Sequence, residues 1–264
     1  LRSLRLRKYR RREGRFLIEG IRIVEEAMDC GAPVETLVYA PDLLVSERAR
    51  LLTQGIEARR RLVVTGQVFR SLSNRDEPQG IAAVVRIKDQ ELNSIAVTEE
   101  MLVLIAYQLR DPGNLGSIVR TADAAGATGI IIVEPSVDLY DPQTVRASMG
   151  SLFALPIVCV PDEGALAPWF TQVRSAGLDL LVAASSAHGD RAHFEVDFCR
   201  PTVLLIGNER QGLPASIHEA SDTLIRLPMA GRATSLNVSA ATAALVYVIV
   251  RQRLTGRPEG GRRT

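Results

Sequence analysis

The sequence predicts two α/β domains in succession. Short apolar strands alternate with helical segments along residues 15–88, and the alternation restarts with stronger strands at Met101. Several later strands are unbroken apolar runs, which is typical of parallel strands covered by helices on both faces. A polar stretch without periodicity separates the two patterns. We therefore predict a smaller α/β domain at 1–88, a linker at 89–100 and a parallel-sheet domain at 101–264.

The elements of the smaller domain are short. Apolar runs predict four strands, at 16–18, 36–39, 62–65 and 80–85. Apolar residues at helical spacing predict three helices between them, at 21–28, 46–54 and 67–72. This alternation assigns the segment to the α/β class.

The larger domain has the stronger pattern. Its apolar runs predict six strands, at 102–107, 129–133, 154–160, 178–184, 202–206 and 223–227. A helix is predicted at 114–125, where apolar residues share one stripe, and a final helix at 236–253 is rich in Ala and Ser. Small residues permit a close helix approach, either inside the domain or across a dimer interface.

Basic residues cluster at the start of the chain, although the formal net charge is only +2. Residues 1–15 hold eight basic side chains against one acid, Glu13. The densest part contains Arg7, Lys8, Arg10, Arg11 and Arg12. Clustered guanidinium groups attract polyanions by releasing condensed counterions. The alternative is a solvated, partly disordered terminus.

The sequence favours neither a metal centre nor a membrane segment. The three cysteines lack C-x-x-C spacing and the three histidines lack H-E-x-x-H spacing. No apolar run reaches the roughly 18 residues of a membrane span, and no signal peptide precedes the basic start. We therefore expect a soluble, cytoplasmic protein with reduced, buried thiols, no metal and no membrane partner.

Two glycine-containing turns are similar to nucleotide-binding loops but lack the decisive residues. Residues 111–120 follow a predicted strand without forming G-x-G-x-x-G, which makes an oxidoreductase on a conventional doubly wound sheet a weak alternative. Residues 207–212 have the glycine spacing of a Walker loop, but Leu213 and Pro214 replace its lysine and hydroxyl. A phosphate-cradling loop is therefore excluded.

Five polar residues follow predicted strands or begin adjoining helices: Asn114, Arg120, Glu209, Ser235 and Asn237. Each has a simpler explanation, with Asn114 or Ser235 as a helix cap, Arg120 in a structural salt bridge and Glu209 as a solvated turn acid. Arg120 lies nearly two helical turns after Asn114, so we expect both to project toward roughly the same side. Ligands bind at this edge of open α/β sheets, so the conjunction favours a site.

Three segments resemble the motifs of a known family. They are DPGNLGSIVRTADAAG at 111–126, IGNERQGL at 206–213 and LPMAGRATSLNVS at 227–239. In order and spacing they resemble the SpoU/TrmH-type RNA ribose methyltransferases of the SPOUT superfamily, over residues 101–253. RFLIEG at 15–20 and EPQGI at 77–81 are similar to the substrate-binding domain of that family, a small α/β fold related to ribosomal RNA-binding proteins.

The resemblance implies a larger domain with a deep trefoil knot. S-adenosylmethionine would bind there through main-chain groups near Gly207, Gly212, Leu227, Met229 and Leu236. A homodimer would complete the site, with Arg120 or Asn114 serving the partner's pocket. The reaction implied is methyl transfer to a ribose 2′-hydroxyl in RNA.

The resemblance also implies roles for the polar residues. Arg120 would stabilise the developing alkoxide, grip a phosphate or act as the general base, and Asn114, Ser235 and Asn237 would orient the nucleotide. Glu209 would fix the loop or Arg120, and the basic run from Arg7 to Arg12 would contact RNA. Ribosomal RNA, 23S in particular, is the first choice of substrate. Transfer RNA methylation, a thiostrepton-resistance-type methylase with the same layout, and a catalytically silent RNA-binding protein are the alternatives.

Overall fold

The computed structural model describes residues 1–208 and 211–256. The chain divides into two compact units. The first unit contains Leu1–Asp89 together with Asp138–Ala154, and the second contains Gln90–Val137 together with Leu155–Thr264.

The described residues form eleven strands. In chain order, β1 to β11 are Arg15–Glu19, Val34–Tyr39, Arg60–Val63, Ile81–Arg86, Leu102–Tyr107, Gly129–Val133, Ile157–Val160, Leu181–Ser185, Arg191–Ala192, Thr202–Ile206 and Thr223–Arg226. Three strands, β5, β6 and β10, begin and end at the predicted residues. β7 is shorter than predicted because Ser151–Phe153 forms a 3-10 turn and Pro156 has no N–H to donate.

The same residues form nine α-helices. In chain order, α1 to α9 are Arg7–Glu13, Ile21–Asp29, Glu47–Gly55, Gly66–Leu72, Pro112–Ala124, Pro142–Ser148, Leu166–Ser175, Ala215–Glu219 and Val238–Thr255. The sequence did not predict α1. This helix ends at Glu13, and the left-handed backbone of the next residue, Gly14 (φ 61°), lets the chain turn directly into β1.

The second unit is built on a seven-stranded sheet, and the predicted parallel α/β fold is confirmed. Its strand order is β7-β6-β5-β10-β8-β11-β9, with every pair parallel. All residues of the central strands β5, β6 and β10 are buried, as expected where helices cover both faces. Because the strands are parallel, their carboxyl ends lie along one edge of the sheet.

The first unit contains a mixed sheet with the order β1-β4-β2-β3. β4 is antiparallel to both of its neighbours, while β2 and β3 are parallel. The inner face of this sheet packs into an apolar core with α2 and with a segment from later in the chain.

That later segment, 138–154, belongs to the first unit although the sequence placed it in the second domain. Val145 is buried in the core of the first unit. The rings of Tyr140 and Phe153 lie 4.6 and 6.2 Å from the ring of Phe16 on β1. Burial of these apolar side chains supplies the stabilisation that holds the segment there.

Arg10 does not have the exposed position that the sequence predicted for an RNA contact. Only 2% of its surface is exposed. Its Nη2 donates to Asp138 Oδ2 at 2.6 Å, and its Nη1 donates to the carbonyls of Leu4 and Arg5 at 2.8 and 2.7 Å. A buried arginine keeps its charge and therefore needs such partners. Arg10 is thus a structural residue, whereas Lys8 and Arg12 on the same helix are exposed.

Candidate active site

A cavity of about 400 Å³ lies at the carboxyl ends of three neighbouring strands of the second unit, β10, β8 and β11. Ser185, Gly207 and Leu227, at or just beyond the ends of these strands, form part of its wall. Val238, at the start of α9, forms another part. Open α/β sheets bind their ligands at this edge, and small-molecule sites have volumes of about 300–1,000 Å³.

The turn after β10 presents main-chain groups to the cavity because it begins and ends with glycine. Gly212 has a left-handed backbone with φ of 67°, which glycine adopts without steric cost. At Gly207 an added Cβ would lie 2.6 Å from the Gly212 carbonyl carbon. The two ends of the turn therefore approach so closely that no side chain fits between them.

Asn208 fixes this turn to the sheet. Its side chain is buried, and Nδ2 donates to the Gln108 carbonyl, just beyond β5, at 2.7 Å. The Gly212 N–H donates to the Asn208 carbonyl at 2.9 Å and closes the turn. Buried hydrogen bonds of this kind hold the cavity wall in one conformation.

The five residues predicted to bind the cofactor all line this cavity: Gly207, Gly212, Leu227, Met229 and Leu236. Met229 and Leu236 expose 37% and 47% of their surfaces, while Ile206 and Leu245 contribute buried apolar walls. Apolar walls with a few main-chain hydrogen-bonding groups suit a nucleoside. Direct cofactor contact by these residues stays a prediction.

Asn114 and Asn237 meet although 123 positions separate them in the sequence. Asn237 Nδ2 donates to Asn114 Oδ1 at 3.0 Å, which joins the starts of α5 and α9. Neither residue lines the cavity, but Asn237 directly precedes Val238, which does. The hydrogen bond therefore fixes the helix start that forms one cavity wall.

The predicted helix caps are wrong in both places. Asp111 caps α5, since its carboxylate accepts from the Asn114 N–H at 2.7 Å. Asn237 rather than Ser235 caps α9, and its Oδ1 accepts from the Ser239 N–H at 2.9 Å. Ser235 instead lines the cavity with an exposed side chain. Glu209 lies outside the described residues.

Arg120 lies on α5 and is exposed, with no ion pair or hydrogen bond to any residue in 1–208 or 211–256. The alternative of a structural salt bridge therefore has no partner in this part of the chain. Six residues make only about 1.7 helical turns, so Arg120 does not share the direction of Asn114 as the sequence suggested. It also does not line the cavity of its own chain.

The loop after β8 lines the cavity and was not among the predicted site residues. Ser185, Ser186 and His188 face the cavity, and Gly189 lies so close to β11 that a Cβ would be 2.7 Å from the Ile225 carbonyl carbon. A sequence signal was present, since the polar turn follows an apolar strand at its carboxyl end. The sequence did not show that this loop lies close to the segment 227–236, because only the folded structure brings the two together.

Several reactive groups of the described chain lie away from this cavity, and the three cysteines are exposed rather than buried as the sequence predicted. Burial, followed by the charge of Glu163, raises the pKa of the Tyr107 hydroxyl, which donates to Glu163 Oε2 at 3.5 Å. Among the described residues no three His, Cys, Asp or Glu side chains gather as a metal site would require. None of the helices in that part of the chain is long and apolar enough to cross a membrane.

Comparison with known proteins adds to this geometry. Residues 101–247, more than half of the chain, match the model of the SpoU rRNA Methylase family. The chain belongs to this family. Residues 1–83 match the MRM3-like substrate binding domain, so the first unit of this SpoU methylase is similar to a substrate-binding module.

Similar proteins of known type span nearly the whole SpoU methylase chain. The 23S rRNA (uridine(2479)-2′-O)-methyltransferase of Streptomyces viridochromogenes is 39% identical over 95% of this chain and 88% of its own length. The 23S rRNA (guanosine(2553)-2′-O)-methyltransferase RlmP of Bacillus subtilis is 31% identical over 93% of this chain and 92% of its own length. The crystal structure of AviRb from S. viridochromogenes with AdoMet superimposes with a TM-score of 0.90, at 39% identity and 97% coverage of both chains.

The cavity fits the cofactor of this family, S-adenosylmethionine. Main-chain groups of Gly207 and Gly212 and hydroxyls such as that of Ser235 can supply hydrogen-bonding partners, while apolar residues supply walls for a nucleobase. The close approach at Gly207 keeps side chains out of the turn. The protein is therefore an S-adenosylmethionine-dependent RNA 2′-O-methyltransferase.

Proposed function

We propose that this SpoU methylase transfers a methyl group to a ribose 2′-hydroxyl of 23S ribosomal RNA in the cytoplasm. The observation that carries the proposal is the glycine-bracketed cavity at the carboxyl edge of the parallel sheet. The choice of 23S RNA is supported by the two relatives that act on it, which cover over nine-tenths of this chain, including the first unit.

The chemistry requires positioning more than acid–base machinery. S-adenosylmethionine supplies an activated methyl group on a sulfonium leaving group. The chain's task is to hold the ribose oxygen in line with that methyl group, which converts a bimolecular encounter into an oriented one. The fixed turn at 207–212 and the Asn114–Asn237 pair provide rigid elements for this task.

In this proposal Arg120 stabilises the negative charge that develops on the ribose oxygen, or grips a neighbouring phosphate. Its guanidinium is exposed and has no ion-pair partner among the described residues. A guanidinium is protonated at all ordinary pH values, so it acts as a hydrogen-bond donor and a positive charge rather than as a base. Ser235, at the cavity, would orient the nucleotide.

The proposal includes a homodimer that completes each site. Arg120 does not line the cavity of its own chain, so a second copy would bring it to the reacting oxygen. Exposed apolar side chains on α9, Tyr247 and Leu254, offer a surface for that second copy. Burial of such side chains against a partner would stabilise the pair.

The test is methyl transfer from labelled S-adenosylmethionine to purified 23S, 16S and transfer RNA, followed by mapping of the ribose-methylated nucleotide. We expect incorporation at one position of 23S RNA. Incorporation into transfer RNA alone would contradict the ribosomal substrate and identify a transfer RNA methyltransferase. Cofactor binding by calorimetry without transfer to any RNA would favour a catalytically silent RNA-binding protein.

Replacing Arg120 tests its catalytic role. Arg120→Ala should lower kcat by roughly 100- to 1,000-fold, as expected when a donor to a developing oxyanion is lost, and leave cofactor affinity within about twofold. Arg120→Lys keeps the charge and should retain part of the activity. Arg174→Ala, an exposed arginine on α7 paired with Asp222, is the matched control.

The pH dependence of the rate distinguishes an Arg120 that stabilises the developing negative charge from one that acts as the general base. A general base in this position would need a pKa lowered by several units, which would appear as an ionisation in the pH–rate profile that Arg120→Lys shifts. We expect no such ionisation. Wild-type turnover in Arg120→Ala would remove the residue from the mechanism altogether.

A further inference from the structure

A second cavity, of about 310 Å³, lies within the first unit. It runs along β1, the edge strand of the mixed sheet, and its wall includes Leu17 and Glu19 from that strand. The opposite wall comes from α6, in the segment 138–154. None of the residues discussed for methyl transfer lines it.

The cavity has an apolar part and three polar side chains that are exposed to solvent. Leu4, Leu17 and Leu72 supply apolar surface. Asn74, Gln143 and Arg146 also line it, and their side chains form no hydrogen bond or ion pair within residues 1–208 and 211–256. Two exposed amides and one exposed guanidinium beside apolar surface can hydrogen-bond to a polar ligand.

The acidic residues at this cavity accept hydrogen bonds from groups of the protein itself. Glu19 accepts from the Ser73 hydroxyl at 2.5 Å and from the Asn74 N–H at 3.4 Å. Asp141 caps α6 by accepting from the Gln143 N–H at 2.9 Å. Arg146 forms an ion pair with neither carboxylate among the described residues. The cavity lining holds three arginines against these two carboxylates, which favours a ligand that carries negative charge.

The arginines Arg5 and Arg75 brace the cavity. Arg5 donates through Nη2 to the carbonyls of Leu72 and Ser73 at 2.7 and 2.9 Å. Arg75 donates through Nη2 to the Glu19 carbonyl at 2.9 Å. Arg10 holds the two walls together, since it binds the carbonyls of Leu4 and Arg5 on one side and Asp138 on the other. These hydrogen bonds hold the walls of the cavity in place before a ligand binds.

We propose that this cavity binds one unpaired nucleotide of the RNA substrate. Proteins read RNA mainly through unstacked bases, which hydrogen-bond on their edges and pack on flat or apolar side chains. Asn74 and Gln143 can each donate to and accept from a base edge, the leucines pack against the base face, and Arg146 binds the adjoining phosphate. The proposal rests on the proposed function for the identity of the RNA, and it assigns a specific contact to the substrate-binding unit.

Nucleotide binding tests the cavity without methyl transfer. The full ¹⁵N-labelled chain, with S-adenosylhomocysteine saturating the other cavity, is titrated with each of the four ribonucleoside 5′-monophosphates. We expect saturable shifts of the Asn74 and Gln143 side-chain amides and of the Arg146 guanidinium for at least one base. Absence of those shifts, or equal shifts with inorganic phosphate alone, would overturn the assignment.

The kinetic arm uses 23S RNA. Arg146→Ala should raise the KM for RNA by about tenfold, the size expected for one lost recognition contact, with kcat and cofactor affinity unchanged. Arg70→Ala, an exposed arginine on α4 that does not line the cavity, should change KM by less than about twofold. Equal changes in KM for the two variants would mean that Arg146 contributes only nonspecific positive charge, and would overturn the site. An enzyme that methylates no ribosomal RNA would overturn the proposed function alone, because the titration still decides the cavity.

Discussion

The basic run at the start of the chain shows how one residue type takes different roles. Arg10 is buried and paired with Asp138, while Arg12, two positions later, is largely exposed and lies 4.7 Å from the ring of Tyr9. The difference comes from the direction each side chain takes from α1. An arginine that faces the protein must find acceptors, whereas one that faces water needs none.

Removing the buried charge pair should destabilise the first unit. Arg10→Met leaves Asp138 without its cation and two carbonyls without a donor, and we expect a loss of roughly 3–5 kcal/mol in the free energy of unfolding. Arg12→Met should cost about 1 kcal/mol or less. Urea denaturation of both variants measures this. A double variant, Arg10→Met with Asp138→Leu, should recover part of the loss, and equal destabilisation by Arg10→Met and Arg12→Met would contradict the assignment.

An ion pair that crosses strands in the first unit gives a pH dependence at the same scale. A hydrogen bond from Arg86, then the charge of Arg15, lowers the pKa of Glu35. Because the folded pKa lies below the unfolded one, the stabilisation is present above the usual glutamate pKa and disappears as the pH falls through the lowered value. On acidification to about pH 3, the melting temperature of the wild-type protein should therefore fall further than that of the Glu35→Gln variant. Parallel losses in the two proteins would show that the pair contributes nothing.

At the scale of elements, the turn after β10 shapes the cavity that we propose for the cofactor. Gly207→Ala introduces a Cβ that would lie 2.6 to 2.9 Å from the Gly212 and Leu213 backbone, so the turn must open. We expect cofactor affinity to fall at least about tenfold, or about 1.4 kcal/mol, as measured by calorimetry. Gly231→Ala is the control, because nothing lies within 4 Å of its Cβ position. Unchanged affinity in Gly207→Ala would mean that this turn does not hold the cofactor.

At the scale of the whole molecule, the proposed dimer depends on α9. Tyr247 and Leu254 are 52% and 74% exposed. Tyr247→Glu should dissociate the dimer in sedimentation experiments and abolish transfer. Val45→Glu, which changes a residue in the first unit that is 91% exposed, should leave the assembly unchanged. A wild-type monomer with full activity would contradict the shared site.

Mixed dimers test whether the sites are shared. Assayed at a cofactor concentration well below the Kd of the Gly207→Ala chain, the Arg120→Ala and Gly207→Ala chains are each expected to have little activity. Coexpressed, they should give about a quarter of wild-type activity, because half of random dimers are mixed and each mixed dimer has one intact site. A mixture as inactive as its parents would place Arg120 in its own chain's site.

The sequence by itself determined the parallel α/β fold of the second unit and five of the residues that line the cavity beyond β10. The bounds of β5, β6 and β10 were predicted to the residue, and Gly207, Leu227 and Leu236 were predicted at the site. Both predictions rest on apolar runs and glycine-containing turns, which are local patterns of the sequence. The deep knot and the direct cofactor contacts remain predictions.

Tertiary structure alone decided which distant groups meet. It buried Arg10 against Asp138, 128 residues away, and it added the segment 138–154 to the first unit. It also joined Asn114 to Asn237 and brought the loop after β8 to the cavity. The physical reason is that a charged or polar side chain takes its partner from whatever the folded core places beside it, and no local pattern encodes that distance.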